Sequence, residues 1–140
     1  MGPNSDGPTV SSDILDDIRS YLVRSRRFEQ VECEPAHSPT SLRCYFDTGY
    51  YPTALEEVYL DIVWFTNSDF TIHYHERYSD GETWECRWDR HPNSHNNREH
   101  FHPGPDAARD DAVDVSYPTD WRDVLERVLT ETDERMRGFW

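Results

Sequence analysis

Residues 70–89 read FTIHYHERYSDGETWECRWD, the pattern of a β-hairpin. Apolar and polar side chains alternate on both sides of Asp80-Gly81, a pair that favours a tight turn. A two-residue turn would set His75 opposite Cys86 and mix the two faces. We expect a three-residue turn or a bulge, because it puts the apolar sets on one face and a one-residue slip would bury charges. These sets are Phe70, Ile72 and Tyr74 on one strand and Trp84, Cys86 and Trp88 on the other.

The expected register also defines a polar face of the hairpin. His73, His75, Arg87 and Asp89 would share this face, since side chains alternate along a strand. Two interpretations of the face stay open on sequence grounds. It can look toward a functional loop, or it can be an ordinary solvent-facing side of the sheet.

Three further strands are predicted before the hairpin. The nearly continuous apolar run at 58–65 indicates a central strand, and alternation at 42–47 indicates another. A short run at 31–34 is the third candidate. After the hairpin, residues 90–105 are rich in Asn, His and Pro and are expected to form a loop, followed by an exposed acidic segment at 107–116.

A helix is predicted near each end of the chain. The first spans about 12–27, with Ser11 or Ser12 as its N-cap, and the second opens at Pro118-Thr119-Asp120. This order predicts an α+β fold, an antiparallel meander of about five strands with both helices on one face. Residues 1–10 are expected to be a flexible lead and residues 11–140 a single domain. The apolar stripe of the second helix is Trp121, Val124, Leu125, Val128, Leu129 and Thr132.

Composition restricts the class of protein. The 140 residues carry a net charge of -14, and all 14 basic residues are arginine. We interpret this as a surface adapted to high salt, because charges are screened within ~3 Å at molar salt; an acidic surface for a basic partner is the alternative. Three scattered cysteines, no leader pattern and no membrane-length apolar run predict a cytoplasmic protein without disulfides or membrane contact.

One segment departs from this acidity. Cys86 to His102, CRWDRHPNSHNNREHFH, holds three arginines and two acidic residues, so its formal charge is +1 while the rest of the chain carries -15. It also holds four of the seven histidines, and we therefore take His91–His102 as the candidate functional loop. The candidate residues are Asp89, His91, His95, His100 and His102 for catalysis, and His73, His75, Arg87, Arg90 and Arg98 for substrate binding.

Three interpretations of this segment remain open. Paired imidazoles can act as general acid and base, arginines can hold phosphate, and Asp89 can orient an imidazole. Alternatively, the histidines, asparagines and prolines order a structural loop through side-chain-to-backbone hydrogen bonds. We expect no cofactor under either of these interpretations. The third is a site for zinc or another transition metal with ligands His91, His95, His100 and His102, although the spacing matches no dedicated zinc motif.

Four short motifs connect the chain to a known family. Leu60-Asp61-Ile62, Ile72-His73-Tyr74-His75, Arg87-Trp88-Asp89 and Phe101-His102-Pro103 together resemble the TumE-type toxins of type II toxin–antitoxin systems. The resemblance covers about residues 58–129. The chain departs from the family pattern where Arg90-His91 stands in place of Asn-Ala, where paired histidines are split, and where His-Pro replaces Pro-His.

The resemblance implies a toxin whose partner is an antitoxin with a helix-turn-helix DNA-binding domain. Joined to the residue chemistry, it leads us to expect a halophilic, toxin-like α+β protein that cleaves RNA at the His-rich loop. The alternative is a non-catalytic interaction module, or a metal-binding regulatory one.

Overall fold

The computed structural model describes residues 9–35, 39–91 and 99–140. These residues form one antiparallel sheet in which strands consecutive in sequence are neighbours, with a helix near each end of the chain. The predicted α+β class is confirmed, but the described sheet has seven strands rather than about five. The elements are α1 (Ser12–Leu22), β1 (Phe28–Glu34), β2 (Ser41–Phe46), β3 (Leu55–Trp64), β4 (Phe70–Tyr78), β5 (Thr83–Arg90), β6 (Glu99–His102), β7 (Val113–Asp114) and α2 (Trp121–Arg137).

Both helices start at the predicted caps. The hydroxyl of Ser11 accepts a 3.1 Å hydrogen bond from the amide of Ile14, which satisfies one of the unpaired donors at the start of α1. Asp120 caps α2, and every residue of the predicted stripe of α2 is buried. The first helix ends at Leu22 rather than near residue 27, because the arginine-rich residues 24–27 offer no apolar side chain to bury and turn the chain into β1.

The β4–β5 hairpin has the expected register. Tyr74 lies opposite Cys86, and the amide of Tyr78 donates to the carbonyl of Glu82 at 2.8 Å, so the turn has three residues. Gly81 adopts φ +89°, a backbone conformation that residues other than glycine rarely adopt. The apolar sets of both strands therefore face the helices and build the core.

Two short strands correct the expectation for the chain after β5. Residues 90–105 do not form a loop throughout, since β6 pairs with β5 and the acidic segment contributes β7, which pairs with β6. The physical reason lies in Phe101, whose ring centroid is 5.7 Å from that of Trp88 on the helix side of the sheet. One apolar anchor among Asn, His and Pro was too weak a pattern to identify a four-residue strand.

The described part of the chain begins with the last two residues of the predicted lead. Residues 1–8 lie outside the described part of the chain, and Val10 forms an antiparallel bridge with Phe65 just beyond β3. The two helices lie together on one side of the sheet, where the hydroxyl of Tyr21 donates to Glu126 at 3.1 Å. Within the described residues, neither helix is both long and apolar enough to cross a membrane.

Candidate functional site

A group of polar side chains lies on the face of the sheet opposite the helices. The register sets His73 on β4 and His102 on β6 on either side of Arg87 on β5, and it sets Asp89 beside His100. Residues that lie directly opposite one another on neighbouring strands share a face of the sheet. The pairing of β4, β5 and β6 is therefore enough to bring these groups together. We name Arg87, Asp89, His91, His100 and His102 the polar-face cluster.

Asp89 is the centre of the polar-face cluster. Only 2% of it is exposed, and its Oδ2 accepts a 3.0 Å hydrogen bond from Nε of Arg87 and lies 3.2 Å from Nε2 of His102. Its Oδ1 is buried, accepts no hydrogen bond from any described residue, and lies 3.6 Å from Nε2 of His91. A buried carboxylate oxygen that accepts no hydrogen bond has lost its contact with water and gained no hydrogen bond in exchange. This oxygen is therefore a candidate ligand atom for a bound cation.

The imidazoles of the cluster differ in their access to solvent. The side chain of His91 is 47% exposed, whereas those of His100 and His102 are 7% and 6% exposed. Burial lowers the pKa of His102, and the nearby carboxylate of Asp89 opposes this effect. Within the cluster, His102 therefore contacts Asp89 from a buried position, and His91 is the imidazole most exposed to solvent.

The two described arginines among the predicted phosphate ligands lie on opposite faces. Arg87 belongs to the cluster and its side chain is 33% exposed. Arg90 instead points toward the helices, is 8% exposed, and donates to the carbonyl of Ser68 through Nε at 3.0 Å and Nη2 at 2.7 Å, and to that of Pro118 at 2.8 Å. The structure thus gives Arg90 a structural role and keeps it apart from the cluster.

His73 and His75 lie on the polar face, as the register predicts. Nε2 of His73 is 2.6 Å from Oε1 of Glu85, and both side chains are partly exposed. Nδ1 of His75 is 3.0 Å from the hydroxyl of Tyr59. Burial lowers the pKa of His75, and the charge of Glu85 partly offsets that effect. These residues extend the polar surface from the cluster across β4.

Two acidic residues near the imidazoles were missed from the sequence. Glu85 could have been found, since it alternates with Trp84 and Cys86 and must share a face with His73. Asp114 could not, because its Oδ1 reaches 3.5 Å from Nε2 of His100 only through the pairing of β7 with β6. Two predicted residues, His95 and Arg98, lie outside the described residues.

Part of the cluster has the composition of a metal site. One potential ligand atom each from Asp89, His91 and His100 lies within 4.8 Å of the other two. The set expected from the sequence was His91, His95, His100 and His102. Of this set, His91 and His100 lie in the group with Asp89, His95 lies outside the described residues, and Nε2 of His102 lies 3.2 Å from Oδ2 of Asp89.

The fold and the cluster define a small α+β protein whose sheet carries an Arg–Asp–His group on its helix-free face. A family model described as Toxin TumE matches residues 13–136. The chain belongs to the TumE toxin family, is a toxin component of a toxin–antitoxin system, and has a cognate antitoxin as its partner. The match extends well beyond the residues 58–129 suggested by the motifs. Neither a curated protein nor a solved structure matches the chain significantly.

Proposed function

We propose that this TumE-family toxin cleaves RNA at the polar-face cluster. The observation that carries the proposal is the arrangement around Asp89, which binds Arg87 at 3.0 Å through one oxygen and faces His91 at 3.6 Å with the other. A partly exposed guanidinium can hold a phosphate, and an exposed imidazole can act as a general base. Both groups lie against Asp89, Arg87 from within β5 and His91 from the position directly after it.

The proposed reaction divides these roles. Arg87 binds the non-bridging phosphate oxygens, and His91 accepts the proton of the ribose 2′-hydroxyl as that oxygen attacks phosphorus. The bond from phosphorus to the 5′-oxygen breaks, and this oxygen takes a proton from water. The products are a 2′,3′-cyclic phosphate and a 5′-hydroxyl. Asp89 stabilises the imidazolium that forms on His91, and His102 holds Asp89 in position.

Electrostatics restrict how RNA binds. A net charge of -14 repels nucleic acid at long range, and phosphate contacts weaken as salt increases. Binding therefore depends on short-range contacts to Arg87 and on hydrogen bonds from the His73–Glu85 pair and His75, over which a single strand would pass. Arg98 and His95 are proposed to add contacts from the segment between β5 and β6.

The test measures RNA cleavage by the purified, tag-free protein and growth arrest on expression. His91→Ala is expected to reduce cleavage by at least ~100-fold, the contribution of a general base. Arg77→Ala is the control. Arg77 lies on β4, on the same face of the sheet as the polar-face cluster, is 45% exposed, and pairs with Glu56 outside the cluster. A non-catalytic module, the alternative, predicts growth arrest that survives His91→Ala in a folded protein.

We also propose that the cognate antitoxin carries a helix-turn-helix DNA-binding domain and that the pair works in a salt-rich cytoplasm. The motif resemblance supports the first statement. The acidic, lysine-free composition supports the second, since like charges are tolerated where salt screens them. A purified toxin–antitoxin complex that fails to bind its own promoter DNA would contradict the first statement.

A further inference from the structure

We propose that Asp89, His91 and His100 bind a divalent transition-metal ion, with Zn²⁺ the best-fitting case. One potential ligand atom from each residue lies within 4.8 Å of the other two. Two imidazoles and one carboxylate are a common set of three protein ligands for zinc, with a fourth position left for water or substrate. The proposal goes beyond RNA cleavage, because it concerns what the protein binds in the absence of RNA.

The buried carboxylate of Asp89 is the strongest reason for the proposal. Its Oδ2 is held by Arg87 at 3.0 Å and His102 at 3.2 Å, which fixes the orientation of the carboxylate. Its Oδ1 then faces His91 with no hydrogen-bond donor from any described residue. A cation at Oδ1 would restore the favourable interaction that this oxygen loses on burial. Groups that orient a ligand in this way strengthen metal sites.

The backbone preorganises two of the three ligands. Asp89 and His100 are directly paired across β5 and β6, so the sheet fixes their separation. Oδ1 of Asp114 on β7 lies 3.5 Å from Nε2 of His100 and helps to orient that ring. His91 directly follows β5 and is the exposed member of the set, so it is the ligand that adjusts when an ion enters.

The donor set also predicts which ions bind. Imidazole nitrogens suit zinc, copper, iron and nickel, whereas magnesium and calcium prefer oxygen ligands alone. The acidic protein attracts cations in general, but only a nitrogen-preferring ion gains from His91 and His100.

If RNA cleavage is the function, bound Zn²⁺ and proton exchange at His91 exclude each other. This consequence alone rests on the proposed function.

The experiment titrates metal-free, tag-free full-length protein with ZnCl₂ in a calorimeter, without RNA. We expect one Zn²⁺ per chain from the wild type and no heat above dilution from MgCl₂. His91→Ala should weaken Zn²⁺ binding by more than ~10-fold. Losing a group that only orients a metal ligand already lowers metal affinity by ~10–100-fold, and His91 is itself a proposed ligand. His91 is exposed, so this variant should fold normally, and circular dichroism checks that it does.

His73→Ala is the matched control, because His73 is a partly exposed imidazole on the same face that pairs with Glu85 instead. It should bind Zn²⁺ as the wild type does. The proposal is overturned if the wild type binds no Zn²⁺, if His91→Ala binds it unchanged, or if His73→Ala loses as much affinity. Zn²⁺ binding without RNA cleavage would remove only the proposed function, and cleavage without Zn²⁺ binding would remove only the metal site.

Discussion

Arg135 on α2 donates two hydrogen bonds of 2.9 Å to the carboxylate of Glu76 on β4, and Glu76 is fully buried. The hydroxyls of Tyr74 and Tyr78 donate to the same carboxylate at 2.7 and 2.9 Å. The buried carboxylate thus accepts hydrogen bonds from one guanidinium and two hydroxyls, and a buried ion pair requires such additional hydrogen bonds. The guanidinium also lies 3.6 Å from the ring centroid of Trp84, so one side chain ties the end of α2 to the sheet.

Arg135→Ala is therefore expected to destabilise the protein strongly. Removing one partner of a buried pair leaves an uncompensated charge, at a cost of ~3–5 kcal/mol. We expect about 3 kcal/mol, the lower end, because the side chain of Arg135 is 30% exposed. Urea unfolding measures the change. Arg137→Ala, an exposed position one half-turn later, should stay within ~0.5 kcal/mol, and equal losses in both variants would contradict the ion-pair argument.

Lowering the pH should destabilise the fold through His102 and His75. Burial lowers the pKa of both imidazoles below the ordinary 6.5, so the folded protein resists protonating them. Between the folded pKa and 6.5 the unfolded chain binds more protons, and the free energy of unfolding must rise with pH in that window. Stability is then complete above about 6.5 and is lost as pH falls through the folded pKa. Urea unfolding along a pH series measures this slope.

His102→Gln supplies the control for the pH slope. Glutamine can still donate a hydrogen bond toward Asp89 but does not titrate. The variant should lose part of the slope just below pH 6.5 while the remainder, from His75, persists. A slope identical to that of the wild type would show that His102 does not contribute to the pH dependence.

Gly104→Ala should be strongly destabilising for a steric reason. A Cβ at this position would lie 2.1 Å from Cζ2 of Trp84, far inside van der Waals contact. The indole ring is rigid and is itself packed against the guanidinium of Arg135, so relief requires movement of the backbone after β6. Overpacking of this kind costs ~1–3 kcal/mol. Gly138→Ala, whose nearest contact would be 3.3 Å, is the control, and thermal unfolding should separate the two.

The free energy of unfolding should rise with KCl concentration. The net charge of -14 produces self-repulsion that salt screens. Replacing the exposed Asp110 and Asp111 with Asn should raise stability at low salt and reduce the dependence on KCl. A neutral osmolyte at matched water activity separates screening from general exclusion. If the protein is as stable in dilute buffer as in concentrated KCl, the halophilic interpretation is wrong.

The parts of the structure that were predictable are those encoded by local patterns. Alternation and Gly81 determine the hairpin register, and the Ser11 cap lies next to its helix in sequence. The same alternation, continued from Trp84 and Trp88, would have placed Arg90 on the helix side, but its charge suggested a phosphate ligand instead.

The remaining parts depend on distant residues. The charge that pairs with the buried Glu76 comes from Arg135, which follows 59 positions later. His100 and His102 lie on a strand only because β5 and β7 pair with it on either side. Neither relation leaves a trace in any short window of sequence. The hairpin register therefore placed Arg87 and Asp89 on one face in advance, while the positions of His100 and His102 beside them were not predictable.

Arg87→Lys tests whether the shape of the guanidinium matters in the polar-face cluster. Lysine keeps the charge but cannot donate to Asp89 and hold a phosphate in the same planar geometry. We expect RNA cleavage to fall at least ~10-fold, with a stability loss of only ~1 kcal/mol because the side chain is 33% exposed. Arg77→Lys, an exposed arginine on the same face, should leave both quantities unchanged. Full cleavage by a folded Arg87→Lys protein would show that Arg87 acts only as a charge, and full cleavage by Arg87→Ala would remove it from the site.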